Sequence, residues 1–228
     1  MKKLKYFTKT ELAIWLSSVL VILTAFFVFD GEKYLNMIAS IIGTTALIFC
    51  AKGNPFGQVL IIIFASLYAY ISLSFRYYGE MITYLGMSLP MAVIALISWL
   101  KNPFKGSRAQ VKVNTVSKKE IIFAFMLSLV VTLAFYFILR ALGTANLMIS
   151  TVSITTSFFA AYLTFRRSEY FALAYVLNDI VVIIMWSMAM ASSIEYISVE
   201  ICFVVFLVND TYSFINWSKM KKRQQDAE

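Results

Sequence analysis

Eight apolar segments dominate the sequence, and each is close to the roughly 20 residues that a helix needs to cross the hydrocarbon core of a membrane. Apolar residues make up 61% of the chain and charged residues only 14%, whereas about a quarter of the residues in a soluble domain are charged. The sequence therefore predicts an all-α polytopic membrane protein without a sizeable domain outside the membrane. The segments are 12–29, 34–50, 58–75, 81–100, 120–139, 147–165, 170–190 and 197–217.

The distribution of basic residues predicts how the bundle is oriented. An even number of spans puts both termini on one side, and 17 of the 20 Lys and Arg residues lie on that side. Because cytoplasmic loops carry the excess of basic residues, we expect both termini in the cytoplasm and the chain in the lipid of the inner cell membrane. The first segment contains F-F-V-F at 26–29 in place of the small residues of a cleavage site, so we expect it to remain as a span.

The residue types disfavour several functional classes. The chain has no His, and Cys50 and Cys202 both fall inside apolar segments, so no metal site or disulfide framework is expected. No glycine-rich nucleotide-binding motif occurs, and the basic residues are scattered at segment ends, so we expect no cofactor and no nucleic acid partner. An intramembrane acid pair could support general acid-base catalysis, but no nucleophile accompanies it, so we do not expect an enzyme.

A weak internal repeat lies on either side of the loop at 101–119. Residues 40–52, S-I-I-G-T-T-A-L-I-F-C-A-K, resemble residues 153–166, S-I-T-T-S-F-F-A-A-Y-L-T-F-R. Segments 2 to 4 would then correspond to segments 6 to 8 in the same orientation, which predicts an N-terminal helix followed by a parallel 3+1+3 repeat of the SWEET type. The predicted divisions are 1–33 (tail and extra helix), 34–100 (first three-helix unit), 101–146 (loop and linker helix) and 147–228 (second three-helix unit and basic tail).

The seventh segment carries an amide and an acid near its middle. A charge at the bilayer centre costs roughly 2.5 to 3.5 kcal/mol on insertion scales, so such a residue normally faces the bundle interior or a wet cavity. Helical spacing places Asn178 and Trp186 on one stripe, with Asp179 at its edge. We therefore expect all three to face a cavity.

The eighth segment repeats this pattern with more polar residues. Asn209, Tyr212 and Asn216 follow a helical spacing of three and four residues, and Asp210 and Trp217 flank them. The alternative is that these side chains only join helices, or support a partner subunit, since hydrogen bonds between membrane helices are common and worth ~0.6 kcal/mol on average. Two Asn-Asp pairs with nearby indoles favour a ligand site, because helix association does not require two carboxylates.

Two further features point to the first half of the chain. Tyr68 and Tyr70 lie in the middle of the third segment, where a hydroxyl needs a partner, and are candidates for ligand contact. Pro90, with Gly86 one turn before it, should interrupt the fourth segment, and such interruptions are common where transporters bind substrate.

Several motifs carry a resemblance to a known family. Y-A-Y is followed by Y-Y-G-E-M, then by L-P-M, W-L-K-N, L-N-D and finally N-D-T-Y-S-F-I-N-W. In this order and spacing they resemble the PnuC family of vitamin transporters over about residues 36–220. The resemblance implies a SWEET-like core, a homotrimer, and facilitated diffusion of nicotinamide riboside without ATP. It also implies functional coupling to a cytosolic kinase that phosphorylates the riboside and so retains it.

The candidate residues suit such a ligand. The pyridinium ring of nicotinamide riboside is flat and cationic, so Trp186, Tyr212 or Tyr70 could stack on it. Amide and carboxyl groups could bond the ribose hydroxyls, and either acid could balance the charge. Thiamine satisfies much the same argument, and transport of thiamine, riboflavin or another nucleoside, or coupling of Asp179 or Asp210 to a proton, stays open as an alternative.

Overall fold

The computed structural model of this chain describes residues 6–31, 34–74, 78–144, 146–191 and 197–227, and of Asp30 the backbone alone. Within these residues, eight helical stretches are long and apolar enough to cross a membrane, which confirms the predicted all-α fold and number of spans. The helices are α1 (Lys9–Ala25), α2 (Tyr34–Ala51), α3 (Phe56–Ser74), α4 (Tyr78–Thr83), α5 (Leu89–Lys101), α6 (Lys118–Ala141), α7 (Leu147–Phe165), α8 (Phe171–Met190) and α9 (Ile197–Gln225), with π-helical turns at Phe26–Asp30 and Tyr84–Ser88.

The start of α1 and the end of α9 lie at the same end of the bundle, which we call the termini end; the opposite end is the distal end. Helix α9 is longer than predicted, since it continues past the apolar segment to Gln225. Its polar extension has partners at the termini end. Lys221 forms an ion pair of 2.6 Å with Glu169, and the buried Gln224 donates to the carbonyl oxygen of Val111 at 3.0 Å.

The fourth span is interrupted where the sequence predicts it. Pro90 has no N–H, and its ring would collide with the carbonyl group four residues earlier, so a regular α-helix cannot continue through it. The chain widens one turn instead. The N–H of Leu89 donates to the carbonyl oxygen of Tyr84, five residues earlier, which is the hydrogen bond of a π-helix. The span therefore consists of α4, the π-helical turn and α5.

The central loop contains a small β-hairpin that the sequence analysis did not predict. Strands β1 (Pro103–Phe104) and β2 (Ser107–Val111) pair antiparallel around a two-residue turn. Lys105 and Gly106 both have positive φ in this turn, as the tight turns of hairpins require. Val111, at the end of β2, is fully buried and donates its N–H to the loop between α2 and α3. The hairpin is thus part of the packed termini end.

Helix α1 packs across both α2 and α9. The indole nitrogen of Trp15 donates to the hydroxyl oxygen of Thr45 in α2 at 3.1 Å, and Asn209 of α9 donates to the hydroxyl oxygen of Ser18 at 3.0 Å. One face of α9 is therefore occupied by α1.

Helix α6 packs mainly on α7 and lies at the edge of the bundle. The hydroxyl oxygens of Thr132 and Thr155 are 2.8 Å apart across this contact. The outer apolar side chains of α6 are exposed, Val130 by 65%. In a membrane these side chains would face lipid.

Candidate substrate-binding cavity

A cavity lies in the middle of the bundle, between α2, α3, the fourth span, α7, α8 and α9. Its larger compartment, towards the termini end, has a volume of about 130 Å³, and a smaller one of about 50 Å³ continues towards the distal end. The compartments share part of their wall, so we treat them as one space, the central cavity. The shared residues are Tyr84, Ser88, Ser157, Asn178 and Phe203.

Asn178 brings an oriented amide to the wall of the central cavity. Its Oδ1 accepts hydrogen bonds from two hydroxyl groups of α7, Thr156 at 2.8 Å and Ser157 at 2.7 Å. These bonds use the acceptor side of the amide and fix the side chain. Its Nδ2 forms no hydrogen bond with any of the residues described, so a donor is available for a ligand.

A pair of carboxyl groups from two helices lies beside this amide. Asp179 of α8 and Asp210 of α9 are 2% and 3% exposed, line the central cavity and are in hydrogen-bonding contact with each other. The prediction that Asp179 faces the bundle interior is thus confirmed. Its Oδ2 is buried and finds no hydroxyl, amide or basic donor among the described residues.

Aromatic rings form much of the remaining wall. Phe64 of α3 and Phe206 of α9 lie with ring centroids 5.7 Å apart, and Tyr84 and Tyr175 bring phenol groups to the same space. Helix α2 comes close to α9 here, because a Cβ atom on Gly43 would lie only 2.7 Å from the Phe206 ring. A ligand in this cavity therefore meets aromatic rings as well as polar groups.

Trp186 lies where the sequence analysis expects it, about two turns from Asn178 and on the wall of the distal compartment. It is 8% exposed. Glu80 and Thr83 of α4 line the same compartment. The distal end of the cavity thus combines an indole with the carboxyl group of Glu80, which the sequence analysis did not select as a site residue.

A cluster of large rings closes the bundle below the cavity at the termini end. Trp217 is fully buried, with its ring 5.4 Å from Trp99 and 4.8 Å from Phe171, and its indole nitrogen donates to the carbonyl oxygen of Cys50 at 2.8 Å. Trp217 therefore does not line the cavity. This corrects the expectation that it contacts ligand, because its one donor is already bonded to the backbone of α2.

Three other candidates on α9 also point away from the cavity, so the expectation for Asn209, Tyr212 and Asn216 is corrected as well. Successive helical residues are about 100° apart, and when Asp210 faces the cavity its neighbours at 209, 212 and 216 face α1 and α2. Their polar groups join helices, which was the alternative interpretation. The contacts are Asn209 Nδ2 to Ser18 Oγ (3.0 Å), Tyr212 Oη to Glu11 Oε1 (3.2 Å) and Asn216 Nδ2 to the carbonyl oxygen of Ala51 (2.7 Å).

The two mid-span tyrosines of α3 have different positions. Tyr68 is 8% exposed and packs behind the wall, with its ring 4.8 Å from that of Tyr84. Tyr70 is 61% exposed on the outer surface of the bundle. The expectation that Tyr70 contacts ligand is therefore corrected, since two residues of helix rotate a side chain by about 200°.

The structure also brings residues to the cavity that the sequence analysis did not select. Tyr175 lies one turn before Asp179, so extending the stripe of α8 by one turn would have found it. Gln58 lines the cavity from the first turn of α3, and its Nε2 donates to the sulfur of Cys50 at 3.4 Å. It is the first residue of the predicted third segment, directly after N-P-F-G, and was not selected as a site residue. Tyr84 is turned inward by the π-helical turn, which has no separate signal in sequence.

A cavity at the centre of an apolar bundle, lined by aromatic rings and a few polar groups, is the arrangement expected of a carrier of small molecules. Fold and cavity together define a multi-pass membrane transport protein. The sequence pattern of the family described as "Nicotinamide mononucleotide transporter" matches residues 33–219. The chain belongs to this family, the PnuC family of membrane transporters.

Two curated relatives and one solved structure are similar over nearly the whole chain. The nicotinamide riboside transporter PnuC of Neisseria mucosa is 31% identical over 216 residues, which cover 92% of this chain and 82% of the relative. The nicotinamide riboside transporter PnuC of Haemophilus influenzae is 25% identical over 213 residues, covering 92% and 90%. The crystal structure of the vitamin B3 transporter PnuC superposes with a TM-score of 0.83 at 26% identity, covering 96% of this chain and 94% of that one.

Proposed function

We propose that this protein carries nicotinamide riboside across the cell membrane by facilitated diffusion. The observation that supports this most directly is the central cavity, where the carboxyl pair and the amide of Asn178 meet an aromatic wall. The two curated relatives reported above are both named for nicotinamide riboside. The family name suggests the mononucleotide instead, but its phosphate is anionic and would be repelled by the carboxyl pair.

The proposed contacts follow the chemistry of the ligand. The cationic pyridinium would stack on an aromatic wall, with Trp186 at the distal end as the first candidate, and gain about 2 kcal/mol where water is excluded. The free donor of Asn178 would bond the carboxamide or a ribose hydroxyl. Asp179 and Asp210 would supply the opposite charge. Of the residues expected from the sequence, these four remain in the proposed site, and Tyr84 and Tyr175 join them.

The setting of this activity is part of the same proposal. The basic residues favour cytoplasmic termini, so the distal end would face the outside. We further propose a homotrimer with a SWEET-like repeat of segments 2 to 4 and 6 to 8. A cytosolic kinase would phosphorylate the arriving riboside and so maintain the inward gradient.

Uptake into proteoliposomes tests the proposal. Purified protein should equilibrate labelled nicotinamide riboside without ATP and without a proton or sodium gradient, and an excess of unlabelled thiamine or riboflavin should compete weakly. Trp186→Ala should abolish uptake, while Tyr70→Ala, an aromatic change on the outer surface, should leave it intact. Accumulation against a gradient, driven by protons, would contradict facilitated diffusion.

A further inference from the structure

We propose that Asp179 and Asp210 function as one negative charge: they share a single proton, and the resulting monoanion selects ligands with a cationic ring. This inference rests on the proposed function, and it specifies how much negative charge the two acids together present to the ligand. The alternative is that each acid carries its own charge and contributes separately.

The contact between the two side chains is the first reason. They belong to different helices, α8 and α9, and are in hydrogen-bonding contact within the bundle. A carboxylate has acceptors but no donor, so a hydrogen bond between two carboxyl groups requires a proton on one of them. With both ionised, the same contact would be repulsive in a medium of low dielectric constant. With one shared proton, the pair carries a net charge of −1.

In the part of the chain that the structure describes, no basic side chain pairs with either acid to neutralise a second charge. Among the described residues, the recorded ion pairs join Lys52 to Glu11, Arg166 to Glu120 and Lys221 to Glu169, and none includes either Asp. The titratable groups close to the pair can only be neutral or negative. They are Tyr84 of the π-helical turn, Tyr175 of α8, Cys50 of α2, Cys202 of α9 and, further away, Glu80 of α4.

One carboxyl oxygen of the pair has no hydrogen-bond donor outside the pair among the described residues. Oδ2 of Asp179 is buried, lacks any donor from a hydroxyl, amide or basic group of the described residues, and belongs to a residue that lines the central cavity. A buried acceptor that receives no hydrogen bond costs free energy. A cationic ring in the cavity would compensate the single charge and leave the hydrogen bond of the pair in place.

Replacement by asparagine separates the two interpretations. In Asp179→Asn or Asp210→Asn the new amide can donate to the remaining carboxylate, so each single variant keeps both the hydrogen bond and one negative charge. We expect either variant to bind nicotinamide riboside within about threefold of the original protein. The double variant has no charge, and its affinity should fall at least about 30-fold, or roughly 2 kcal/mol.

A neutral ligand of the same shape provides the control for folding. The reduced, dihydropyridine form of nicotinamide riboside has no positive charge, and its affinity should stay within about threefold in all three variants. Binding of both forms would be measured by calorimetry on detergent-solubilised protein. If either single variant loses as much affinity for the cation as the double variant, the shared charge is refuted. If the unchanged protein binds neither form, it is the proposed function that fails.

Discussion

Nζ of Lys52 lies 3.0 Å from Oε1 of Glu11, a carboxylate that is only 2% exposed. This ion pair connects α1 to the end of α2, and the hydroxyl of Tyr212 adds a bond from α9 to the same oxygen. The extra N-terminal helix is therefore joined to the bundle by a buried charge. The same contact explains why one polar face of α9 is not available to ligand.

Removing this carboxylate should destabilise the protein without removing its cavity. Glu11→Gln leaves Lys52 as a partly buried charge without its partner, which we expect to cost about 2 kcal/mol. The measurement is unfolding of the detergent-solubilised protein by denaturant. Combining the change with Lys52→Met should recover part of the loss, because no unpaired charge then remains. If the double variant is as unstable as the sum of the single ones, the two groups are not coupled.

The two amides Asn178 and Asn209 should respond differently to the same substitution. Asn178→Ala removes a donor from the cavity and should weaken binding of nicotinamide riboside about tenfold, or roughly 1.4 kcal/mol. Asn209→Ala should lower stability through lost bonds to α1 but leave the affinity nearly unchanged. Binding and thermal unfolding of both variants would decide the matter. A large loss of affinity with Asn209→Ala would show that its amide reaches the ligand after all.

Trp217 should behave as a core residue rather than as a ligand contact. Trp217→Ala empties a fully buried site and should cost about 3 to 5 kcal/mol, enough to prevent purification of a folded protein. Trp217→Phe keeps most of the ring and loses the bond to the backbone of α2, so about 1 kcal/mol is expected. Size-exclusion chromatography after a heat step measures both. A stable Trp217→Ala protein that has lost only ligand affinity would contradict this assignment.

Of two adjacent glutamines at the end of α9, only Gln224 should contribute to the stability of the protein. Gln224 is buried, accepts from the N–H of Val113 at 2.8 Å and donates to the carbonyl oxygen of Val111 at 3.0 Å. Gln224→Ala leaves both backbone groups without this partner, and we expect a loss of about 1 to 3 kcal/mol. Gln225 is exposed, so Gln225→Ala is the matched control and should change little. Equal effects of the two substitutions would mean that the hairpin is not held by α9.

Much of the fold was predictable because a membrane restricts which residues a spanning helix can contain. Apolar length alone defined eight spans, and the missing N–H of Pro90 located the interruption of the fourth. The β-hairpin was missed, since strands as short as β1 and β2 in a polar loop show no alternation of apolar residues. Val111 is buried only because other parts of the chain pack over it, so its burial could not be predicted from the sequence of the loop.

The candidate site was predictable in part. Asp179 lies in the middle of an apolar segment, and the cost of exposing a charge to lipid leaves only the interior, so the sequence by itself determined its direction. For α9 the sequence indicated a polar stripe of Asn209, Tyr212 and Asn216 with Asp210 beside it. Which face meets the cavity was decided by the tertiary structure, because α1 packs against α9 and its Ser18 and Glu11 bond the amide and phenol of the stripe. Periodicity gives the angles between side chains of one helix, whereas the direction of each face depends on which helices pack around it.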